Sequence, residues 1–592
     1  MLAHSLMSVL AFSVAAKPAT VEEAKTFTAK TEDDLKRLWV RAQTAEWIKS
    51  TYITDDTGQN AAWSNEDVMA YLSVAIKDSQ RFKKLKLDPD TARQLYLLSV
   101  SQALPAPSDP KKRGELAGLA AKLEGAYGKG KFCTDKDHCK DLLQLSDVLT
   151  KGGKYEDQLA AWEQWHTISK PMRPDYARLV ELSNEGAREI GWKDLGELWR
   201  ASYDMSPADF EKETDRLWTQ LKPLYDQLHC YVREQLAKKY PGKVNNSGPI
   251  PAFLLGNMWA QDWSNIYPLV EPYPNQASLD VTAAMKKQGY DELKMVHTAE
   301  NFFVSLGMPK LPPTFWERSQ FKKPADRDVV CHASAWDVHY DNDLRIKMCI
   351  KVDEEDLITL HHELGHDYYY TNYYKLPVLY QQGANDGFHE AIGDALTLSI
   401  TPAYLKQLGL IDKIPDGDKG LIDLQMKRAL EKIAFMPFGR MIDQWRWDVF
   451  SGKTPVAEYN KHWWELRLKY QGIAPASVRD EQYFDPGAKY HIPANVPYMR
   501  YFLALILQFQ FHRALCKAAG YEGPLHACSI YGNKAAGEKL QAMLAMGASK
   551  PWPEALKALS GETQMDASAV VDYFQPLMKW LETQNQGKKC GW

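Results

Sequence analysis

The chain has 592 residues, 45% hydrophobic and 25% charged, the proportions of a globular protein with a large core rather than a disordered chain, a fibre or a small disulfide scaffold. Its 72 basic and 76 acidic residues leave a net charge of −4, with no basic surplus to grip a phosphate backbone, so nucleic acid is excluded as a main partner. Mean hydropathy is −0.45 and no apolar run reaches the ~20 residues of a membrane span, so no membrane anchor is expected.

Residues 1–16, MLAHSLMSVLAFSVAA, read as a secretory signal: an apolar stretch from Leu6 to Ala16, then the small residues Val14-Ala15-Ala16 ahead of Lys17. Residues 17–592 read as a single domain, because no long flexible linker interrupts them. KTEDDLKRLWVRAQTAEWIKSTY (30–52) and SNEDVMAYLSVAIKDSQRFKKLK (64–86) carry apolar residues at helical spacing, and Ser64 with Asp67 resembles a capping box. DFEKETDRLWTQLKPLYDQLHCYVREQLAKKY (209–240) repeats the pattern, and Gly/Pro-rich stretches at 104–113, 241–251 and 306–314 mark loops. The best strand signal is RIKMCIKV (345–352), which can pair with VVCHASAW (329–336). The fold class is therefore mainly α with very little β, in two lobes around a groove.

Among eight cysteines, Cys133 and Cys139, Cys331 and Cys349, and Cys516 and Cys528 are close enough to close short loops in an oxidising compartment. Connectivity stays open, since eight cysteines allow many pairings. Cys230 and Cys590 have no near partner in sequence, and whether they are free or bonded stays open.

HHELGH at 361–366 contains the H-E-x-x-H of His362, Glu363 and His366. On a helix, positions i and i+4 share a face, so two imidazoles can reach one zinc ion. Glu363 lies about 100° around that helix, beside the metal, where a general base for a zinc-activated water belongs. Chance supplies about 0.02 such matches in a chain of this composition. Leu357, Leu360 and Leu364 offer the helix a buried stripe. His361 has no partner four residues on and is read as a neighbour. A third ligand is needed, and a second helical pattern, GFHEAIGDALTLSI (387–400), offers Glu390 after a connecting loop of 367–386. Asp394, one turn further, can accept from a ligand imidazole.

The motifs GPIPAFLLGNMWAQDWSNIYP (248–268), VVCHASAWD (329–337), HHELGH, GFHEAIGDALTLS, DQWRWDVF (443–450), WWELRLKYQG (463–472), FDPGAKYHIPANVPYMRYF (484–502) and FQFHRALCKAAG (509–520) together resemble the angiotensin-converting enzyme family of zinc dipeptidyl carboxypeptidases. The resemblance implies a mostly helical zincin-type domain with a deep groove, acting as a soluble, secreted or periplasmic monomer on short peptides with a free C-terminal carboxylate. It implies His362, His366 and Glu390 as ligands of one zinc ion and Glu363 as base. Tyr501 is implied as the oxyanion donor, and His491 and His332 as groups on the substrate backbone. Ala333 and Ala335 are implied to bond the peptide through their main chain. Gln261, Lys489 and Tyr498 are implied as the clamp on the substrate carboxylate; a branch that releases single residues carries arginine where this chain has Gln261. Arg200, Trp463 and Arg467 are implied as one activating chloride site, and Tyr240 with Arg500 as another. The three close cysteine pairs coincide with the family's disulfides.

The chain departs from the pattern at Asp386, where proline is usual, in the tyrosine-rich HDYYYTNYY (366–374), and in the extra Cys230 and Cys590. The single N-x-S/T sequon noted, at Asn245, favours a bacterial origin. Two other readings stand beside this one. The first is an oligopeptidase that cuts internally or releases single residues. The second is a binding protein on a scaffold that has lost catalysis.

Overall fold

The computed structural model describes residues 18–274, 281–414 and 417–592; the signal reading of 1–16 falls outside them. The fold is mainly α, and strands among the described residues form only three two-stranded sheets. One main apolar cluster runs from Leu35 to Leu581. No described helix is long and apolar enough to cross a membrane.

The N-terminal helix Val21–Thr51 starts at a capping box of Thr20 and Glu23. The next helix, Asp55–Ser79, is capped by Thr54, ten residues before the Ser64 cap of the sequence reading. Ser64 is inside this helix, with its hydroxyl bonded to the carbonyl of Asn60 at 2.9 Å. A Ser/Thr hydroxyl can satisfy itself that way mid-helix, so the capping pattern alone misplaced the start. The expected strand pair is present but short: Ser334–Asp337 runs antiparallel to Leu344–Lys347, with Ala335 opposite Ile346.

Two helices carry the H-E-x-x-H motif and the downstream acids. Glu354–Tyr373 is capped by Asp353, which accepts from the Asp356 amide at 2.9 Å, and opens with three acids suited to the positive end of a helix. Leu357, Leu360 and Leu364 are fully buried along it. The helix continues through Tyr373, so the tyrosine-rich stretch read as loop begins as helix. The second helix, Asp386–Thr397, is capped by Asn385, which accepts from the amides of Gly387 and Phe388 at 3.0 and 3.2 Å. The two cross at a pair of glycines. A Cβ on Gly365 would lie 2.7 Å from the Gly393 Cα, and one on Gly393 would lie 2.6 Å from the His362 carbonyl oxygen. A third helix, Met499–Ala518, packs on the second, where Leu503 would be 3.0 Å from any Cβ at Gly387.

Cys133–Cys139, Cys331–Cys349 and Cys516–Cys528 are disulfides. The state of Cys230 and Cys590, left open by the sequence, is settled by the fold: they are bonded to each other across 360 residues. Cys230 lies on the long helix Pro207–Lys239, and the C-terminal segment returns along it. Arg233 holds that segment, donating to the carbonyls of Lys589 at 2.6 Å and Gly591 at 2.5 Å. Nothing local in sequence encodes that return.

Closing so large a loop restricts the unfolded chain, so Cys230→Ser with Cys590→Ser is expected to cost about 2–5 kcal/mol in urea unfolding. The wild-type chain, unfolded without reductant, should show no thiol reactive towards a disulfide reagent. Two reactive thiols would refute the pairing.

Candidate metal centre and carboxylate clamp

His362 and His366 sit one turn apart, with their Nε2 atoms 3.1 Å from each other. Glu390 Oε2 lies 3.6 Å from His362 Nε2, and the ligand atoms of the three residues all fall within 4.8 Å of one another. Two imidazole nitrogens and one carboxylate converging from crossed helices fit a zinc ion with one position left open. Asp394 Oδ1 lies 3.0 Å from His362 Nδ1 and orients that ring. Burial opposes ionisation of Asp394, but Lys432 and His362 outweigh it and hold the carboxyl at about 2. His361 turns away, with Nδ1 at the Leu357 carbonyl and Nε2 near the Tyr404 hydroxyl. A second cluster, His512 with Cys516 and Cys528, has its sulfurs tied in a disulfide.

Glu363 is buried beside the ligands. Burial pushes its carboxyl up to about 7, with His362 opposing and Glu390 adding to the rise. The strand Ser334–Asp337 lies against the same helix, where the Tyr370 hydroxyl donates to the Ala335 carbonyl at 3.4 Å. Lys347 Nζ holds the carbonyls of Val330 and His332 at 2.8 and 2.5 Å, which fixes the segment carrying His332, Ala333 and Ala335.

The loop before the third helix brings Lys489, His491 and Tyr498 to Tyr501. The His491 and Tyr498 rings are 4.6 Å apart, and those of Tyr498 and Tyr501 4.9 Å. The DQWRWDVF motif anchors this loop. Asp443 Oδ2 accepts from the amides of Tyr498 and Met499 at 2.8 and 2.7 Å. Arg446 donates to Asp443 and, at 2.9 Å, to the His491 carbonyl. The indoles of Trp165 and Trp259 both donate to the Ala488 carbonyl at 2.9 Å, which sets Lys489. Lys489 is 6% exposed, with Nζ 4.3 Å from the Trp259 ring and 5.6 Å from the Tyr498 ring. Burial pulls its ammonium down to about 7, helped by Arg467. Gln261 Oε1 and His491 Nδ1 are buried without hydrogen-bond partners.

The expected anion sites are corrected in part. Arg467 stacks near Trp463 and Trp464, its Nη2 bonded to the Trp259 carbonyl at 2.8 Å and its buried Nε unpartnered. Arg200 is not with them: it pairs with Glu211 at 2.9 Å and lies over Trp447. Asp485 is the charged neighbour of Arg467, and His166, whose imidazole burial pulls down to about 4, lies close to both. Tyr240 is bonded to Gln158 and Gly153, not to Arg500. Arg500 pairs with Asp386 at 3.2 Å, and Tyr203 stands beside that pair. Arg200 and Tyr240 were assigned from short Arg- and Tyr-containing strings, which do not encode the long-range partner of a side chain. Sequence reasoning also missed Trp259, His389 and Lys432; His389 was visible beside Glu390 without a signal for its role.

An H-E-x-x-H helix, a crossing helix with glutamate and aspartate, and an almost wholly helical scaffold define the class of helical zinc metallopeptidase folds. The family described as angiotensin-converting enzyme matches residues 18–592, and the chain belongs to that family. It is 44% identical over 586 residues to the angiotensin-converting enzyme of Rattus norvegicus, covering 96% of this chain and 44% of that protein. The angiotensin-converting enzyme of Theromyzon tessulatum is 42% identical over 591 residues, covering 97% of this chain and 95% of that protein. A third relative, the angiotensin-converting enzyme-like protein Ace3 of Mus musculus, is 40% identical over 578 residues, covering 96% of this chain and 78% of its own length. The chain thus spans less than half the length of several mammalian relatives it matches.

Removing the carboxylate behind His362, as in Asp394→Ala, is expected to weaken zinc binding ~10–100-fold in chelator competition. Unchanged affinity would show that Asp394 does not orient the ligand.

Proposed function

We propose that the protein is a zinc peptidyl-dipeptidase that removes dipeptides from the free C-termini of short peptides outside the reducing cytoplasm. The observation that carries this is Lys489, a buried cation with no carboxylate partner among the described residues, set in the same loop as His491 and Tyr498 and just ahead of Tyr501 on the next helix. A buried ammonium is unfavourable unless a ligand supplies the opposite charge, and a peptide carboxylate does so. Gln261, through its side-chain NH2, and Tyr498, through its hydroxyl, complete the clamp, since only donors can meet a carboxylate. A clamp at fixed distance from the metal measures how much of the chain is released. The four disulfides support an oxidising compartment.

Zinc, held by His362, His366 and Glu390, supplies Lewis acidity for a water nucleophile and the peptide carbonyl. Glu363 takes the proton of the attacking water and returns it to the leaving amine, a task its environment suits by holding the carboxyl near 7. Tyr501 donates to the oxygen on which negative charge develops. The main chain of Ala333 and Ala335, with His332 and His491, aligns the peptide along the strand. Arg467 with Trp463 is the proposed chloride position. Arg500 already has the Asp386 carboxylate, so the second chloride of the family pattern is not proposed here.

Glu363→Gln is expected to keep zinc while peptide hydrolysis falls ~10²–10⁴-fold; undiminished turnover would overturn the mechanism. Mass spectrometry of a free-acid nonapeptide should show losses of two residues at a time, abolished by chelation, and its C-terminal amide should be spared. Single-residue losses would mean the clamp has been misread, and absence of cleavage would favour the binding-protein reading.

Lys489 binds a carboxylate only as a cation. Its lowered value makes the charged form decline as pH rises through about 7 in the free protein. Productive binding should therefore weaken above neutrality, read as a falling kcat/KM, and Lys489→Met should lower kcat/KM and remove that limb. An unaltered alkaline limb in the variant would assign it to another group.

A further inference from the structure

We infer that His389 and Tyr373 are positioning residues that hold His366 in the tautomer able to bind metal, through a relay containing no charged side chain. This rests on the zinc reading of His362, His366 and Glu390. The two histidines are supported differently. His362 has the Asp394 carboxylate behind it at 3.0 Å, with Lys432 beyond. His366 Nδ1 instead lies 2.8 Å from Nδ1 of His389, and His389 Nε2 lies 2.8 Å from the Tyr373 hydroxyl.

Two ring nitrogens at that distance share one proton, one donating and one accepting. If His366 Nε2 is to offer its lone pair to a metal, the proton of its neutral ring is on Nδ1. His366 Nδ1 then donates, and His389 Nδ1 accepts. Neutral His389 carries its own proton on Nε2 and donates it to the Tyr373 oxygen. The opposite direction, starting from the Tyr373 hydroxyl as donor, would place the final proton on His366 Nε2 and close the metal position. One direction of the chain is therefore compatible with a bound metal.

The surroundings explain why this chain is tyrosine-rich after its motif. Residues 366, 369, 370 and 373 fall at i, i+3, i+4 and i+7, on one helix face. The rings of Tyr369, Tyr370 and Tyr373 lie 4.5, 5.1 and 5.9 Å from that of His389. They wall the imidazole in and leave Tyr373 as its hydrogen-bond partner. His389 precedes Glu390 on the same helix, so one turn supplies a ligand and supports another ligand from the facing helix.

The test compares wild type, His389→Leu, His389→Gln and Tyr373→Phe. Zinc affinity is read by chelator competition, and cobalt-substituted protein is examined by proton magnetic resonance for exchangeable imidazole N–H signals. We expect His389→Leu to bind zinc ~10–100-fold more weakly. It should lose the His366 N–H signal to fast exchange while the His362 signal persists. His389→Gln, which can still accept, should recover most of the affinity. Tyr373→Phe, nearly isosteric, should weaken binding and decides the matter if His389→Leu does not fold. Wild-type affinity and both N–H signals in His389→Leu, or in Tyr373→Phe where that variant decides, would overturn the relay. A wild-type protein that binds no zinc would overturn the metal reading itself.

Discussion

The site depends on how closely two helices can approach. At the crossing of Glu354–Tyr373 with Asp386–Thr397, Gly365 faces Gly393, and a side chain on either would collide with the partner's backbone. Only that approach lets His362 and His366 meet Glu390 with ligand atoms inside 4.8 Å. The same crossing places Asp394 behind His362 and His389 behind His366. Glycine is costly inside a helix, by roughly 0.5–1 kcal/mol relative to alanine. Its presence in the middle of both is a geometric requirement, accepted at the expense of local propensity.

The rest of the machinery is fastened to this crossing from one side. Met499–Ala518 packs on the second ligand helix and carries Arg500 and Tyr501, while the loop before it carries Lys489, His491 and Tyr498. Asp443 and Arg446, wholly enclosed on the long helix Asp418–Phe450, hold that loop by its main chain. A loop fixed through carbonyls and amides can vary its side chains without moving. The proposed peptide-length clamp would need that property, since its reach is set by backbone position.

What could be read from the sequence follows from the range of the interactions. The H-E-x-x-H pair, the leucine stripe at 357, 360 and 364, and the pairing of Glu390 with Asp394 are periodic over one or two turns, and helical spacing exposes them directly. The strand pair and three disulfides link positions no more than 18 residues apart. Cys230 with Cys590, Arg500 with Asp386, and His366 with His389 are pairings across the fold, and no local pattern encodes them. Arg200 and Tyr240 failed for the same reason: each has its own partner, Glu211 and Gln158 respectively, which a short string does not reveal. The cap at Thr54 was missed because a second, equally plausible string stood ten residues on.

The buried cations separate into three kinds, of which one, Arg233 and Lys347, is held by main-chain carbonyls. Arg446 has Asp443 and Arg479 has Asp485, and the half-buried Arg500 has Asp386. Each of these pairs answers its own desolvation and ties chain segments together. Lys489 and Arg467 differ. Lys489 rests on aromatic faces with no carboxylate, and the acid nearest to Arg467, Asp485, is already bonded to Arg479 and Asn460. Cation–π contacts offset part of the desolvation but not all of it. Among the described residues neither has an anion of its own, which is the physical support for the proposed peptide carboxylate at Lys489 and the proposed chloride at Arg467. The proposed peptide carboxylate at Lys489 would draw on donors, the Gln261 side-chain NH2 and the Tyr498 hydroxyl, rather than on acceptors. Arg467, beside two indoles and a main-chain carbonyl, keeps a buried Nε without a partner, the atom the proposed chloride would meet.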